Sequence, residues 1–262
     1  MQNDQGTKNY DELVSIIMVS YNKKDTIEES IKSVRAQTYL NWELLIEDDQ
    51  SKDGTIDILM DFLRADKRLR IYQTTKRRGA GKNRSSILRE ANGRWVAFLE
   101  CGDTWEPNKL ERQVAYMKNN DYLFSYTACK KVIGGKTVEV SGPEIVSYNM
   151  MRKFCWLEHS TAMYDIKETG ISRIRYSKDN NYYALWLQVS KIADCHLLNE
   201  NLATVGKNKK RKFTWLKKKF RWRYEVYRIV EKKNQIVSAY MTLRNLWYTA
   251  LYRYKNLKQA NT

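Results

Sequence analysis

Cysteine, histidine and proline are scarce in this chain, and each scarcity removes a class of protein. Four cysteines (Cys101, Cys129, Cys155, Cys195) and two histidines (His159, His196) lie scattered along 262 residues, with no CxxC pair. Neither a zinc cluster nor a disulfide framework is expected, and a reducing cytosol is the natural compartment. No long apolar run is present either. The most apolar C-terminal stretch, Asn234 to Tyr252, is interrupted by Arg244 and rich in Ser, Thr, Asn and Tyr, which makes a poor membrane span. The start, MQNDQGTKNYDEL, has no apolar h-region, so no secretory signal is expected there. GxGxxG and GxxxxGK[ST] are both missing, which disfavours dinucleotide and P-loop chemistry. With 42% hydrophobic residues, 11 glycines and two prolines, the chain is neither a disordered nor a collagen-like polymer.

Charge is present in excess, and unevenly. The formal net charge is +17, yet residues 206–262 hold 17 Lys/Arg against two acids, Glu225 and Glu231, leaving the first 205 residues near neutral. The composition therefore divides at about Gly206, into a body over residues 1–205 and a basic, aromatic-rich tail over residues 206–262. Such a tail fits an anionic partner, lipid headgroups or nucleic acid, and composition alone does not choose. Phe213, Leu216, Phe220, Tyr224 and Tyr227 share one helical face of the tail, with Lys217, Lys218, Arg221 and Arg228 largely opposite. Ile236, Tyr240, Leu243, Trp247, Ala250 and Tyr254 continue at a spacing of three to four. This pattern reads as basic amphipathic helices suited to a membrane interface, or as helices whose apolar face docks on the body.

In the body, strand and helix signatures alternate. Val14–Val19 is a β-branched run followed by helical spacing at Ile27, Ile31 and Val34. Trp42–Ile46 repeats the pattern, followed by Ile56, Leu59, Phe62 and Leu63. A strand at Arg70–Gln73, a helix over Arg84–Ala91 and a strand at Trp95–Leu99 come next. Lys109–Lys118 reads as a helix, Tyr122–Val132 as a strand entering a Gly134-Gly135 turn, Ala184–Ser190 as a helix and Leu197–Val205 as a last strand. The alternation predicts an α/β protein with a parallel sheet.

In such a sheet the ligand crevice lies at the carboxyl ends of the strands. Polar groups stand at those ends: Tyr21 and Asn22, then Asp48 and Asp49, then Glu100 and Asp103. Acids converging on one crevice are suited to a hard divalent cation, which in turn holds a diphosphate.

The ordered string VSIIMVSYN, SIKSVRAQTYLNWELLIEDDQSKDGT and GRWVAFLECGDTWEPNKLERQ resembles the family 2 glycosyltransferases of the GT-A fold, in the flavour of bacterial cell-surface polysaccharide transferases. The resemblance spans about residues 13–205, with its second half resting on HSTAMY and the ALWLQ helix. It implies a Rossmann-like, mainly parallel central sheet flanked by helices, with a nucleotide-sugar half over about 13–105 and an acceptor half over about 106–205. The activity implied is inverting transfer of a sugar from a nucleoside diphosphate sugar, usually UDP-linked, to a saccharide or lipid-linked acceptor. A divalent metal, Mn²⁺ or Mg²⁺, would neutralise the departing diphosphate and a carboxylate would accept the acceptor's proton.

Carried over by position, Tyr21 and Asp49 correspond to residues at the nucleobase, with Asp48 supporting their loop. The family's LDxDD stands here as Leu99-Glu100-Cys101-Gly102-Asp103, which leaves Glu100 at the ribose position and Asp103 as the metal ligand, with Cys101 as a small spacer. The basic loop RRGAGKNR offers Arg77, Arg78, Lys82 and Arg84 to the diphosphate. The general base of the pattern EDxxLWL falls on Tyr182, a phenol with an ordinary pKa of about 10. Asp179 is the carboxylate that can substitute for it, and Glu158 or His159 are further candidates. Trp105 and Trp186 read as packing.

The expected location is cytoplasmic, peripheral at the inner face of the membrane, with residues 207–262 on its anionic surface. Two rival readings stand beside this one: a transferase-like scaffold without turnover, and, less favoured, a nucleic-acid binder acting through the tail.

Overall fold

A computed structural model of the protein describes residues 11–133, 135–175, 181–206 and 216–261. Its first half consists of strands β1 (Val14–Ser20), β2 (Trp42–Asp48), β3 (Leu69–Gln73) and β4 (Trp95–Phe98) with helices α1 (Ile27–Arg35), α2 (Thr55–Ala65) and α3 (Ala80–Ile87) between them. The second half adds β5 (Thr104–Trp105), α4 (Lys109–Asn119), β6 (Phe124–Ile133), β7 (Lys136–Val140), β8 (Ile145–Val146), α5 (Tyr148–Lys153), β9 (Met163–Asp165), α6 (Ile166–Thr169), α7 (Asn181–Val189) and β10 (Cys195–Val205). Helices α8 (Leu216–Ile229) and α9 (Gln235–Asn261) form the tail.

Among the described residues the strands join one sheet in the order β3-β2-β1-β4-β9-β6-β10-β5, with β7 beside β6 and β8 beside β10. The pairs β1–β2, β2–β3 and β1–β4 are parallel, as the alternating sequence predicts. Beyond β4 the sheet is mixed, because β9 enters antiparallel to both β4 and β6. Strand β1 is buried along almost its whole length because both faces of the sheet are covered. Val14, Ile16 and Met18 pack with α1, α2 and α4 on one side, whereas Ile17 joins Leu45, Val96 and Phe98 under α3 and α7 on the other.

Helix α1 matches its own dipole, with Glu28 and Glu29 in the first turn and Lys32 and Arg35 in the last. Helix α3 begins at Ala80 rather than at Arg84, where apolar spacing alone would start it. Gly79, at φ 86°, turns the chain into the helix, so Lys82, Asn83 and Arg84 are helical, with Asn83 and Arg84 buried. The compositional break near Gly206 is not a break in packing, because Val226 and Tyr227 of α8 and Val230 just after it share a core with α7. No helix among the described residues is long and apolar enough to cross a membrane.

Between α3 and β4 the chain passes close against β1. A Cβ at Gly93 would lie 2.3 Å from the Leu13 carbonyl oxygen and 2.9 Å from the Ser15 nitrogen, both backbone atoms. Gly93→Ala is therefore expected to lower stability by about 3 kcal/mol, read as a shift of the urea midpoint. Gly135→Ala, at φ 83° with nothing within 4 Å, serves as the contrast, with an expected loss of about 1 kcal/mol. Equal midpoints for the two variants would contradict the close approach at Gly93.

Candidate active site

The parallel register sets Ser20 beside Asp48 and Ile17 beside Phe98, so the residues following β1, β2 and β4 emerge along one edge. Asp48, fully buried, accepts from Ser20 Oγ at 2.6 Å, Ser51 Oγ at 2.6 Å and Ser51 N at 2.8 Å. It thereby ties the end of β1 to the turn after β2. Asn22, at φ 50°, continues that tie: its backbone N–H donates to Ser51 Oγ, and its side-chain oxygen accepts from Lys52 N.

Asp49, 2% exposed, closes the basic loop after β3. Its oxygens accept Arg78 N at 2.7 Å and Gly79 N at 2.9 Å. Burial by itself pushes its carboxyl up. The Arg78 and Gly79 N–H groups, Asn83 and the nearby Arg77 guanidinium outweigh that effect and hold it below the usual carboxylate value. Arg77 lies over the Tyr21 ring at 3.7 Å, a cation–π contact that places the loop against the residue following β1. Arg78 reaches Glu47 at 3.2 Å and Asn83 Oδ1 at 3.0 Å. Tyr21, Asp48 and Asp49, selected from the sequence, thus lie in one corner with Arg77 and Arg78.

A second cluster forms across the edge. Arg84 is buried and ion-paired to Glu100 at 2.7 Å, with its guanidinium 3.6 Å from the centre of the Tyr182 ring. The Tyr182 hydroxyl donates to the same Glu100 oxygen at 2.7 Å. Burial, reinforced by Glu100 and opposed by Arg84, drives the Tyr182 pKa well above 10, so the phenol holds its proton. His159 stacks on Tyr182 with ring centres 3.9 Å apart and accepts from Trp186 Nε1 at its Nδ1, 3.3 Å away. Glu158 is ion-paired to Lys131. Asp179 lies outside the described residues.

Asp103 accepts Ser160 Oγ at 2.7 Å on one oxygen and Gly206 N at 3.0 Å on the other, and is 2% exposed. Ser160 also accepts from Glu100 N and, through its carbonyl, from Trp105 Nε1. Sequence reasoning passed over Ser160; its place between His159 and Thr161 was the only signal. Glu100 is engaged by Arg84 and Tyr182, and no group of three His, Cys, Asp or Glu among the described residues is gathered to hold a metal ion. The expected metal ligand Asp103 has its carboxylate buried and bonded to Ser160 Oγ and Gly206 N. Cys101 is buried, its thiol pushed up by desolvation, and it donates to the Val19 carbonyl as a small spacer would.

The sequence model described as glycosyl transferase family 2 matches residues 15–182. The chain belongs to the family 2 glycosyltransferases. Among curated relatives, this glycosyltransferase is 32% identical over 238 residues to TuaG of Bacillus subtilis, a glycosyltransferase assigned provisionally to teichuronic acid biosynthesis, covering 86% of this chain and 90% of TuaG. It is 36% identical over 190 residues to WfgD of Escherichia coli, the UDP-Glc:α-D-GlcNAc-diphosphoundecaprenol β-1,3-glucosyltransferase, covering 72% and 74% of the two chains. Its GT-A fold is shared with TarS of S. aureus, solved with UDP-GlcNAc, at a TM-score of 0.70 and 18% identity, covering 87% of this chain and 70% of that one. A mannosyltransferase of Pyrobaculum calidifontis, solved with GDP-Man and Mn²⁺, aligns with a TM-score of 0.62 at 16% identity over 92% of this transferase and 72% of that chain.

Glu47, buried beside Arg78, has its carboxyl pushed up to about 7 by desolvation, only partly opposed by the guanidinium. The folded state thus holds a proton that the unfolded chain releases above its ordinary value of 4.5. The stabilising contribution is complete below that value and is lost as the pH rises to about 7, a change of about 3 kcal/mol. Urea denaturation across this window is expected to show the fall in wild type and a shallower one in Glu47→Gln. Parallel curves would contradict the assignment.

Proposed function

We propose that this glycosyltransferase moves a hexose from a UDP-sugar, with inversion, onto a saccharide carried by a lipid diphosphate, in cell-surface polysaccharide assembly at the cytoplasmic face of the membrane. The observation that carries the donor side is the Asp49 carboxylate, held ionised by two backbone N–H groups beside Tyr21. An ionised acceptor next to an aromatic ring suits a nucleobase, which needs a stacking face and a partner for its imide N–H. Arg77 leaves the Tyr21 ring when the base stacks there, which brings its guanidinium toward the diphosphate. The activity of WfgD, with a UDP-Glc donor and a diphosphoundecaprenol-linked acceptor, supports this choice of substrates.

For the acceptor side the proton must go to a group able to take it. Tyr182 holds its own proton and so orients rather than deprotonates, and His159, stacked on its ring, accepts from Trp186. We assign proton acceptance to Asp179 on its place in the sequence pattern, with Glu100 holding Tyr182 and Arg84 together.

Calorimetry with UDP, with and without Mn²⁺, is expected to give binding to wild type and binding weakened about 10-fold or more in Asp49→Ala and in Tyr21→Ala. Absence of UDP binding under every metal condition would overturn the donor assignment. Asp179→Asn is expected to lower turnover about 100-fold or more while leaving UDP binding intact. If Asp179→Asn retains turnover, the assignment of the base to Asp179 is overturned.

A further inference from the structure

Helix α9 is oriented the opposite way from a helix that docks by its apolar face. Ser238, Met241, Thr242 and Asn245 are buried against the rest of the molecule. Asn245 fixes this orientation: its Nδ2 donates to the Tyr183 hydroxyl at 3.2 Å and its Oδ1 accepts from Arg223 Nε. Thr242 Oγ1 bonds the Ser238 carbonyl at 2.7 Å, so the hydroxyls on this face are also satisfied locally. The outward face carries Ile236, Tyr240, Leu243, Trp247 and Leu251, exposed by 83%, 62%, 60%, 65% and 42%. Their spacing of i, i+4, i+7, i+11 and i+15 draws one stripe about 22 Å long, directly opposite the buried face. In α8, by contrast, Val226, Tyr227 and Val230 face inward as an amphipathic pattern requires.

An apolar stripe of Ile, Leu, Tyr and Trp in a segment rich in positive charge has a definite complement. From Gly206 onward the chain has 17 basic residues and two acids. Glu231 is buried and paired with Lys191 at 2.7 Å and Arg152 at 3.8 Å, and Glu225 lies 3.9 Å from Arg221. Arg221, Arg228 and Lys232 are exposed. We propose that the outward stripe of α9 lies flat in the headgroup layer of an anionic bilayer, with Tyr240 and Trp247 at the interface and the surrounding basic residues on lipid phosphates. A second copy of the chain would set two strongly basic tails against each other, and a nucleic acid would leave Ile236, Leu243 and Leu251 in water. This surface is separate from the donor site and holds whichever sugar is transferred.

The test uses the full chain and flotation on vesicles of phosphatidylcholine with or without phosphatidylglycerol, free of nucleotide sugar and acceptor. Wild type is expected to float with the anionic vesicles and much less with the neutral ones. Leu243→Glu/Trp247→Glu, both at outward positions, is expected to weaken that partition about 100-fold. Its thermal midpoint and its UDP binding by calorimetry are expected to match wild type, which separates failure of the surface from failure of the donor site. Partition of the double variant equal to wild type would overturn the proposal, as would no preference for anionic vesicles. A concentration-dependent dimer abolished by the double substitution, without vesicle binding, would assign the stripe to a second copy instead. Tighter binding to single-stranded RNA than to vesicles, unchanged in the variant, would assign the tail to nucleic acid.

Discussion

Carboxylates buried within the fold are the constraint on which the rest of this structure depends. An ionised carboxyl withdrawn from water is tolerated only when donors surround it, and at each such acid the chain folds around the group to supply them. Ser15 and the Asn92 N–H close on Glu43, two serines and a backbone amide on Asp48, two loop amides on Asp49, and Ser160 with Gly206 on Asp103. At the edge of the sheet where β2 and β4 end, the loops are therefore positioned by charge satisfaction more than by apolar packing. The corner around Asp49 and the cluster around Glu100 are two outcomes of that requirement. In the first the acid stays ionised and accessible to a loop; in the second Glu100 is shared between a guanidinium and a phenol.

The first half of the fold was legible because β1, β2 and β4 are buried on both faces and α1 and α2 carry one apolar stripe each. Val14–Ser20 and Trp42–Asp48 could hardly be anything else. The short antiparallel pieces were not: β5, β8 and β9 hold two or three residues each, too few for a period to show. Their existence depends on partners distant in sequence, as when Met163 pairs with both Ala97 and Ser125.

In the site, residue types at strand ends identified Tyr21, Asp48, Asp49, Glu100 and Asp103, because the topology alone aligns those ends. Burial was not readable. Arg84 looked like a basic loop residue open to a diphosphate, yet it lies inside α3 against Tyr182, since Gly79 starts the helix one turn early. Tyr182 occupied the position of a base in the sequence pattern, and only its surroundings reveal that it keeps its proton. The tail shows the same limit: spacing revealed the stripe of α9, but not that Asn245 and Tyr183 would turn it outward.

The chain leaves β10 at Gly206, whose amide is held by the Asp103 carboxylate. The exit of the tail and the last acid of the β4 loop are thus joined by a single hydrogen bond between residues 103 positions apart. Any force that shifts the root of the tail acts directly on the carboxylate that braces Ser160 and, through it, the backbone of Glu100. The root of the tail and the shape of the loop are therefore mechanically linked, and a fusion, tether or truncation placed at residue 206 would act on the loop after β4 itself.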